Sequence, residues 1–305
     1  MPQDRRTAGS FIAMGKLPAH GDFLRESDSP RLLAQVDYWL SRGMNALQAR
    51  AEWHTLYDAT PLRGFALFNQ RTQLLLAGVL VASRDRSGRR FPFLLGTALL
   101  VSDISRFIAC APLALSRLWL WRQQALAHLS ARTPTQIRQI ADLPVAISTT
   151  PADFDRLRSD IQRQASAENI ERWLALAGHP PASSAEPADP LMRQSPASYQ
   201  TCLPVAATHV ERFALASLWM AQPALSPLAL EQHLLMTIDL HGVRPCLRLS
   251  SQPSADRLFR DALSSPTTGE TNARAALPSI SALQVDANSR HADGWTTGPG
   301  ANKYG

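Results

Sequence analysis

Lysine is almost missing from this chain of 305 residues: Lys16 and Lys303 are the only two, and every other basic residue apart from histidine is arginine. The formal net charge is nonetheless +6. Arginine suits phosphate recognition, but here it is scattered. It is not gathered into a stripe with interleaved aromatics, as a nucleic-acid surface requires. An Ala-, Leu- and Arg-rich chain points instead to genomic compositional bias, and no nucleic-acid partner is expected. Long apolar runs are missing too: no stretch of about 18 such residues occurs, so no membrane insertion is expected. The opening MPQDRRTAGSFIAMGKLPAHGD has no apolar h-region followed by a small-residue cleavage site, so a cytoplasmic location is expected. Cysteine is scarce. Cys110, Cys202 and Cys246 are odd in number and widely spaced, which provides neither a disulfide framework nor a zinc site. Their apolar flanks predict buried free thiols. What is present is 45% hydrophobic and 18% charged residues, the balance of a globular protein with a real core.

The periodicity predicts an α/β chain. Ser10–Leu17 reads as a strand broken by the turn residues Pro18–Asp22. A helix follows, with Ser29 as N-cap and Pro30 at its first position. Its stripe is Leu32, Leu33, Val36, Trp39, Leu40, Met44 and Leu47. Strands are predicted at Gly64–Phe68, Gln73–Ser83 and Phe91–Val101, the last two forming a hairpin about the polar stretch Arg84–Arg90. Both are apolar on alternate faces, so the sheet is expected to be covered on both sides. A second long helix is predicted over Pro112–Arg132, with Leu120 and Trp121 off its core stripe. Helices at Thr135–Asp142 and Pro151–Leu176 precede a Pro-, Ser- and Ala-rich linker at Gly178–Pro196. Beyond it the pattern predicts a strand at Tyr199–Val205, a helix at His209–Ala221 and a hairpin of Leu234–Leu240 with Arg244–Leu249. A final helix is predicted at Ala255–Leu263, and the polar stretch 264–305 is expected to be disordered.

Catalytic signatures are missing as well. Gly15-Lys16 is followed by Leu17, and Ser10 stands where a P-loop needs its first glycine. There is no G-x-G-x-x-G dinucleotide fingerprint and no G-x-S-x-G nucleophile elbow. The histidines lack metal-ligand spacing. No catalytic residue, cofactor or metal site is therefore predicted. One constellation stands out: Lys16, His20 and Asp22 in a tight strand-to-helix loop between Gly15 and Phe23, where functional groups often sit. On an architectural reading, Gly15 and Gly21 supply special backbone angles, Asp22 caps the turn, Phe23 plugs the core and Lys16 is solvated. On a functional reading, Lys16, His20 and Asp22 form a partner-binding surface, joined by Asp85, Arg86 and Arg89 of the hairpin tip.

These segments resemble the TagF (ImpM) family of type VI secretion accessory proteins. That family has a G-K-x-P-x-x-G-D-F opening, a helix with a W-L pair and a D-x-x-G-R-x-F-P hairpin. Here the positions are Gly15, Lys16, Pro18, Gly21, Asp22 and Phe23; Trp39 and Leu40; and Asp85, Gly88, Arg89, Phe91 and Pro92. The match is dense from about Phe11 to Leu129 and returns at Arg244–Leu263. The resemblance implies an α/β (α+β) fold, an antiparallel sheet flanked by helices. It places a longin-like N-terminal domain over 1–145; the residue pattern adds a smaller, mostly helical C-terminal part with a hairpin over 146–263 and a disordered tail over 264–305, which has no counterpart in the family. The resemblance implies a non-enzymatic cytoplasmic protein that represses type VI secretion after translation, with an Fha-like scaffold or another secretion component as partner. No metal-binding aspartate motif of a fused phosphatase is present, and the family supplies no catalytic residues to carry over. The alternative is an enzyme with a hydrolase-like or nucleotide-responsive site around Lys16, His20 and Asp22.

Overall fold

The computed structural model describes residues 9–129, 134–141, 147, 151–164, 168, 169, 172, 199–206, 208–221, 225, 232–242 and 245–251. Eight strands form one sheet: β1 Ser10–Gly15, β2 Leu24–Ser27, β3 Arg63–Asn69, β4 Leu74–Val81, β5 Phe93–Leu100, β6 Tyr199–Pro204, β7 His233–Asp239 and β8 Cys246–Ser251. Their order is β2-β1-β5-β4-β3-β7-β8-β6, and every pairing is antiparallel. The helices are α1 Pro30–Gln48, α2 Trp53–Asp58, α3 Ile104–Leu129, α4 Pro134–Ala141, α5 Pro151–Gln164 and α6 His209–Met220.

Strand alternation divides the core between the two faces of the sheet. Phe11 and Ala13 of β1, Leu75 and Ala77 of β4 and Phe93 and Leu95 of β5 pack with Leu115, Trp119 and Phe213 of α3 and α6. Their neighbours Ile12, Met14, Leu76 and Leu94 pack with Val36, Leu40 and Met44 of α1 and Tyr57 of α2. Both faces of β1, β3, β4 and β5 are thus apolar and covered, as their continuous apolar runs require. On β7 and β8 the pattern changes. Leu234, Met236, Ile238, Leu247 and Leu249 keep the α3 face apolar, while Thr237, Asp239, Arg248 and Ser250 occupy the other.

Helix α1 starts as predicted: Pro30 is at its first turn, and the Ser29 hydroxyl accepts the Leu32 N–H at 3.3 Å. Two short elements carry too little pattern to be read from sequence, β2 (LRES) and α2 (WHTLYD). Helix α3 corrects its predicted start, because Pro112 lies inside it. The helix begins at Ile104, where the Asp103 carboxylate accepts the Arg106 N–H at 3.0 Å. Proline removes a rung of the backbone ladder, and next to it the Leu113 N–H donates to Ser217 Oγ of α6 at 3.2 Å. Leu120 and Trp121 are half-buried, Leu120 against the core. Helix α5 spans Pro151–Gln164; in the remainder of the predicted Pro151–Leu176, Glu168, Asn169 and Arg172 are helical and the other residues lie outside the described ones. Of the thiols, Cys110 is buried as expected, whereas Cys246 is half-buried and Cys202 is exposed. The predicted linker 178–196, the helix at 255–263 and the tail 264–305 lie outside the described residues. No helix among the described residues is long and apolar enough to cross a membrane.

Candidate functional site

The two motif loops, some seventy residues apart in sequence, meet in space, and Gly15 brings them together. It ends β1 at φ +127°, a conformation open to glycine. A Cβ there would sit 2.0 Å from the Pro92 carbonyl oxygen. This close approach lays residues 16–23 against the turn between β4 and β5. Lys16 runs inward, and its Nζ lies 2.9 Å from Asp85 Oδ2, both side chains being buried.

Asp85 organises the hairpin tip as an Asx turn. Its carboxylate accepts the Ser87 N–H at 2.9 Å, the Ser87 hydroxyl at 2.7 Å, the Arg89 N–H at 2.9 Å and Arg89 Nε at 2.6 Å. Gly88, at φ +83°, lets the chain reverse. Burial pushes the Asp85 carboxyl up, but the donors from Lys16, Ser87 and Arg89 outweigh it and hold it well below the usual carboxylate range. The loops are then tied directly. The Arg86 N–H donates to the His20 carbonyl at 3.0 Å, and Arg89 Nη2 donates to the Gly21 carbonyl at 2.8 Å. The Phe23 ring stands edge-on to Phe91 at 4.8 Å between centroids, with Lys16 Nζ 5.0 Å from its centre.

Helix α2 anchors the other side of the tip. The Tyr57 hydroxyl donates to the Ser83 carbonyl at 2.9 Å and accepts the Ser83 N–H at 2.8 Å. Asp58 takes Arg90 Nη2 at 2.7 Å and Arg84 Nη2 at 2.6 Å. The Arg90 hydrogen bond, helped by Arg84 and opposed by partial burial, keeps the Asp58 carboxyl ionised well below its ordinary range. A shallow cleft of about 180 Å³ lies here between Tyr57, Asp58, Ala82, Ser83 and Arg84.

The six sequence-predicted residues therefore belong to one unit but occupy two layers. Lys16 and Asp85, read as surface groups, are buried and neutralise each other. Asp22, Arg86 and Arg89 are exposed, and His20 is half-buried. The architectural reading is corrected in detail as well. Lys16 is not solvated, and Gly21 does not take a positive φ as Gly15 does. Phe23 is 38% exposed rather than plugging the core. Asp22 makes no ion pair among the described residues. Sequence reasoning missed Tyr57 and Asp58, whose short helix shows no period. It also missed the buried cluster on the far side of the sheet, where Asp239 Oδ1 lies 3.1 Å from Arg63 Nε and 2.6 Å from Arg248 Nη1. No group of His, Cys, Asp and Glu among the described residues could hold a metal ion.

Chemically, the loop pair is a braced platform. Its charges are spent inside, and an aromatic ring with acidic and basic neighbours is left outside. Arg25 borders that ring at 5.4 Å and is itself paired with Asp37 of α1 at 2.9 Å.

No curated protein matches the sequence. Among solved structures, the crystal structure of PA0076 from Pseudomonas aeruginosa PAO1 is similar at 19% identity, over 84% of this chain and 95% of that one, with a TM-score of 0.44. Residues 13–143 match the family model described as the TagF N-terminal domain, type VI secretion system-associated. That span runs from within β1 past the end of α4 and contains both motif loops, so over these residues the chain is similar to the N-terminal domain of the type VI secretion-associated TagF proteins.

Proposed function

We propose that this protein is a non-enzymatic accessory factor that restrains type VI secretion after translation. It docks an apparatus component, an Fha-like forkhead-associated scaffold or a neighbouring secretion protein, through the welded loop pair. The observation that carries this reading is the two-layer construction of the site. Lys16 and Asp85 are consumed as an internal brace, so the pair offers no free nucleophile or base. Asp22, Phe23, Arg86 and Arg89 face outward as a rigid patch. A partly exposed aromatic ring with arginine beside it is the composition of a protein-binding hot spot, and bracing lowers the ordering cost of docking. The similarity of residues 13–143 to the TagF N-terminal domain supports a role in type VI secretion; repression is the role the family resemblance implies, and occupancy of the partner is the mechanism proposed for it.

Deleting the gene tests the regulatory reading: secretion of a type VI effector into the medium is expected to rise. Abolished secretion would make the protein a structural subunit instead, and unchanged secretion would end the regulatory reading. For the contact surface, a tagged pull-down is expected to recover secretion components with the natural protein and to lose them with Asp22→Arg. An enzyme would reveal itself differently. Thermal stabilisation by a nucleotide, phosphopeptide or divalent metal that vanishes in a folded Asp22→Ala variant would assign a ligand site to this loop.

A further inference from the structure

On the polar face of β8 and β6, Cys202 lies opposite Arg248 and Cys246 lies opposite Pro204. The two cysteines are therefore diagonal neighbours on one face of adjacent antiparallel strands. Diagonal Cα atoms sit about 7–8 Å apart with their Cβ atoms closer, slightly beyond the roughly 7 Å that a disulfide spans without backbone movement, so closing the bond draws β6 toward β8. Their thiols are already in contact: the Cys246 S–H donates to the Cys202 sulfur. The sulfurs are unequal. Cys202 is exposed and Cys246 half-buried. The hydrogen bond from Cys246 pulls the Cys202 thiol down to about 7 against the effect of burial, with Arg248 and Arg63 assisting and Asp239 opposing. Cys246, as the donor, is pushed up. Cys110 is a natural control, because burial pushes its thiol up to about 12.

We propose that Cys202 and Cys246 form an oxidisable dithiol that a hydroperoxide converts into a cross-strand disulfide, stapling the edge strand β6 to β8. The Cys202 thiolate attacks one oxygen of hydrogen peroxide and the O–O bond breaks. The leaving hydroxide takes a proton to become water, and Cys202 holds a sulfenic acid. The Cys246 sulfur then attacks the Cys202 sulfur. The sulfenic oxygen departs and takes up the Cys246 proton as a second water. Two thiols lose two electrons and two protons, and one peroxide becomes two waters. A dithiol reductant reverses the step. Oxidation locks the pairing of β6, the strand at one margin of the sheet.

The test uses the full-length reduced protein, stoichiometric hydrogen peroxide, alkylation of the remaining thiols and peptide mapping without reductant. The expected product is one intramolecular link between the Cys202 and Cys246 peptides, with Cys110 recovered alkylated. The link should form at a rate independent of protein concentration. Before oxidation, Cys202 is expected to alkylate at neutral pH roughly a hundredfold or more faster than Cys110. In Cys246→Ser, dimedone should capture a sulfenic acid on Cys202; in Cys202→Ser, the same dose should leave Cys246 reduced. Three thiols still alkylatable after peroxide, or a link that involves Cys110 or a second molecule, would overturn the proposal, and so would a Cys246 that oxidises equally fast without Cys202. The mapping of the natural protein decides the matter even where a variant fails to fold.

Discussion

The sheet carries a buried aspartate serving two basic side chains in two places, and the two are built in opposite ways. At the β4–β5 tip, Asp85 holds Arg89 and the backbone of Ser87 and Arg89 from within four residues, and reaches Lys16 from the neighbouring loop. At the end of β7, Asp239 holds Arg63, 176 residues earlier in the chain, and Arg248 across the hairpin, and it accepts the Cys246 N–H at 3.0 Å. The tip is a local turn that presents arginines outward. The β7 cluster is a long-range clamp with Arg63 fully buried, where burial pushes its guanidinium down to about 10. An aspartate in a turn shapes a surface, whereas one between strands holds distant parts of the chain in register.

This contrast sets the order of expected effects. Asp239→Ala takes the shared carboxylate away from two guanidinium groups and an N–H, and is expected to cost about 3–5 kcal/mol in urea unfolding. A loss below about 1 kcal/mol would mean that the arginines find water instead. Gly15→Ala forces a side chain into the left-handed region against the Pro92 carbonyl. A loss of about 1–3 kcal/mol is expected, with the weld between the loops opened and partner capture lost. Acidification separates the pair by another route. The folded pKa of Asp85 is depressed, so its contribution is complete above the ordinary carboxylate value of about 4 and fades as pH falls through the folded value. Amide exchange at Ser87 and Arg89 should stay protected down to pH about 4 and rise only on further acidification. Arg86→Glu is expected to move stability by less than about 0.5 kcal/mol while weakening partner capture, which would isolate the outer layer from its brace.

The same contrast explains what could be read from the sequence. Helix α1 was legible because its cap, its proline and its stripe are all local. That two loops stand at these places was legible for the same reason, but their inner layer was not: Asp85 and Lys16 read as surface groups, and the sequence assigns Gly21 and Phe23 roles they do not have. That the loops form one object was not legible, because the joining contacts run from Lys16 to Asp85 and from Gly21 to Arg89. The start of α3 was misread because a proline normally opens a helix. The compensation comes from Ser217, which accepts the N–H of Leu113 from 104 residues later in the chain. The Arg63–Asp239–Arg248 cluster left no trace either: an arginine opening an apolar strand looks like a strand boundary until its partner is seen across the sheet.

One pairing described above bears on how the protein can be handled. Strand β3 lies between β4 and β7, and all seven of its residues are matched residue for residue by His233–Asp239. A fragment cut to the family-matched span 13–143 would lack β7. It would expose an unbroken margin, RGFALFN, with a free row of amides and carbonyls and a mostly apolar sequence. Such a margin recruits other chains. The excised piece is expected to self-associate, as light scattering would show, unless the distant strand is supplied to cover it.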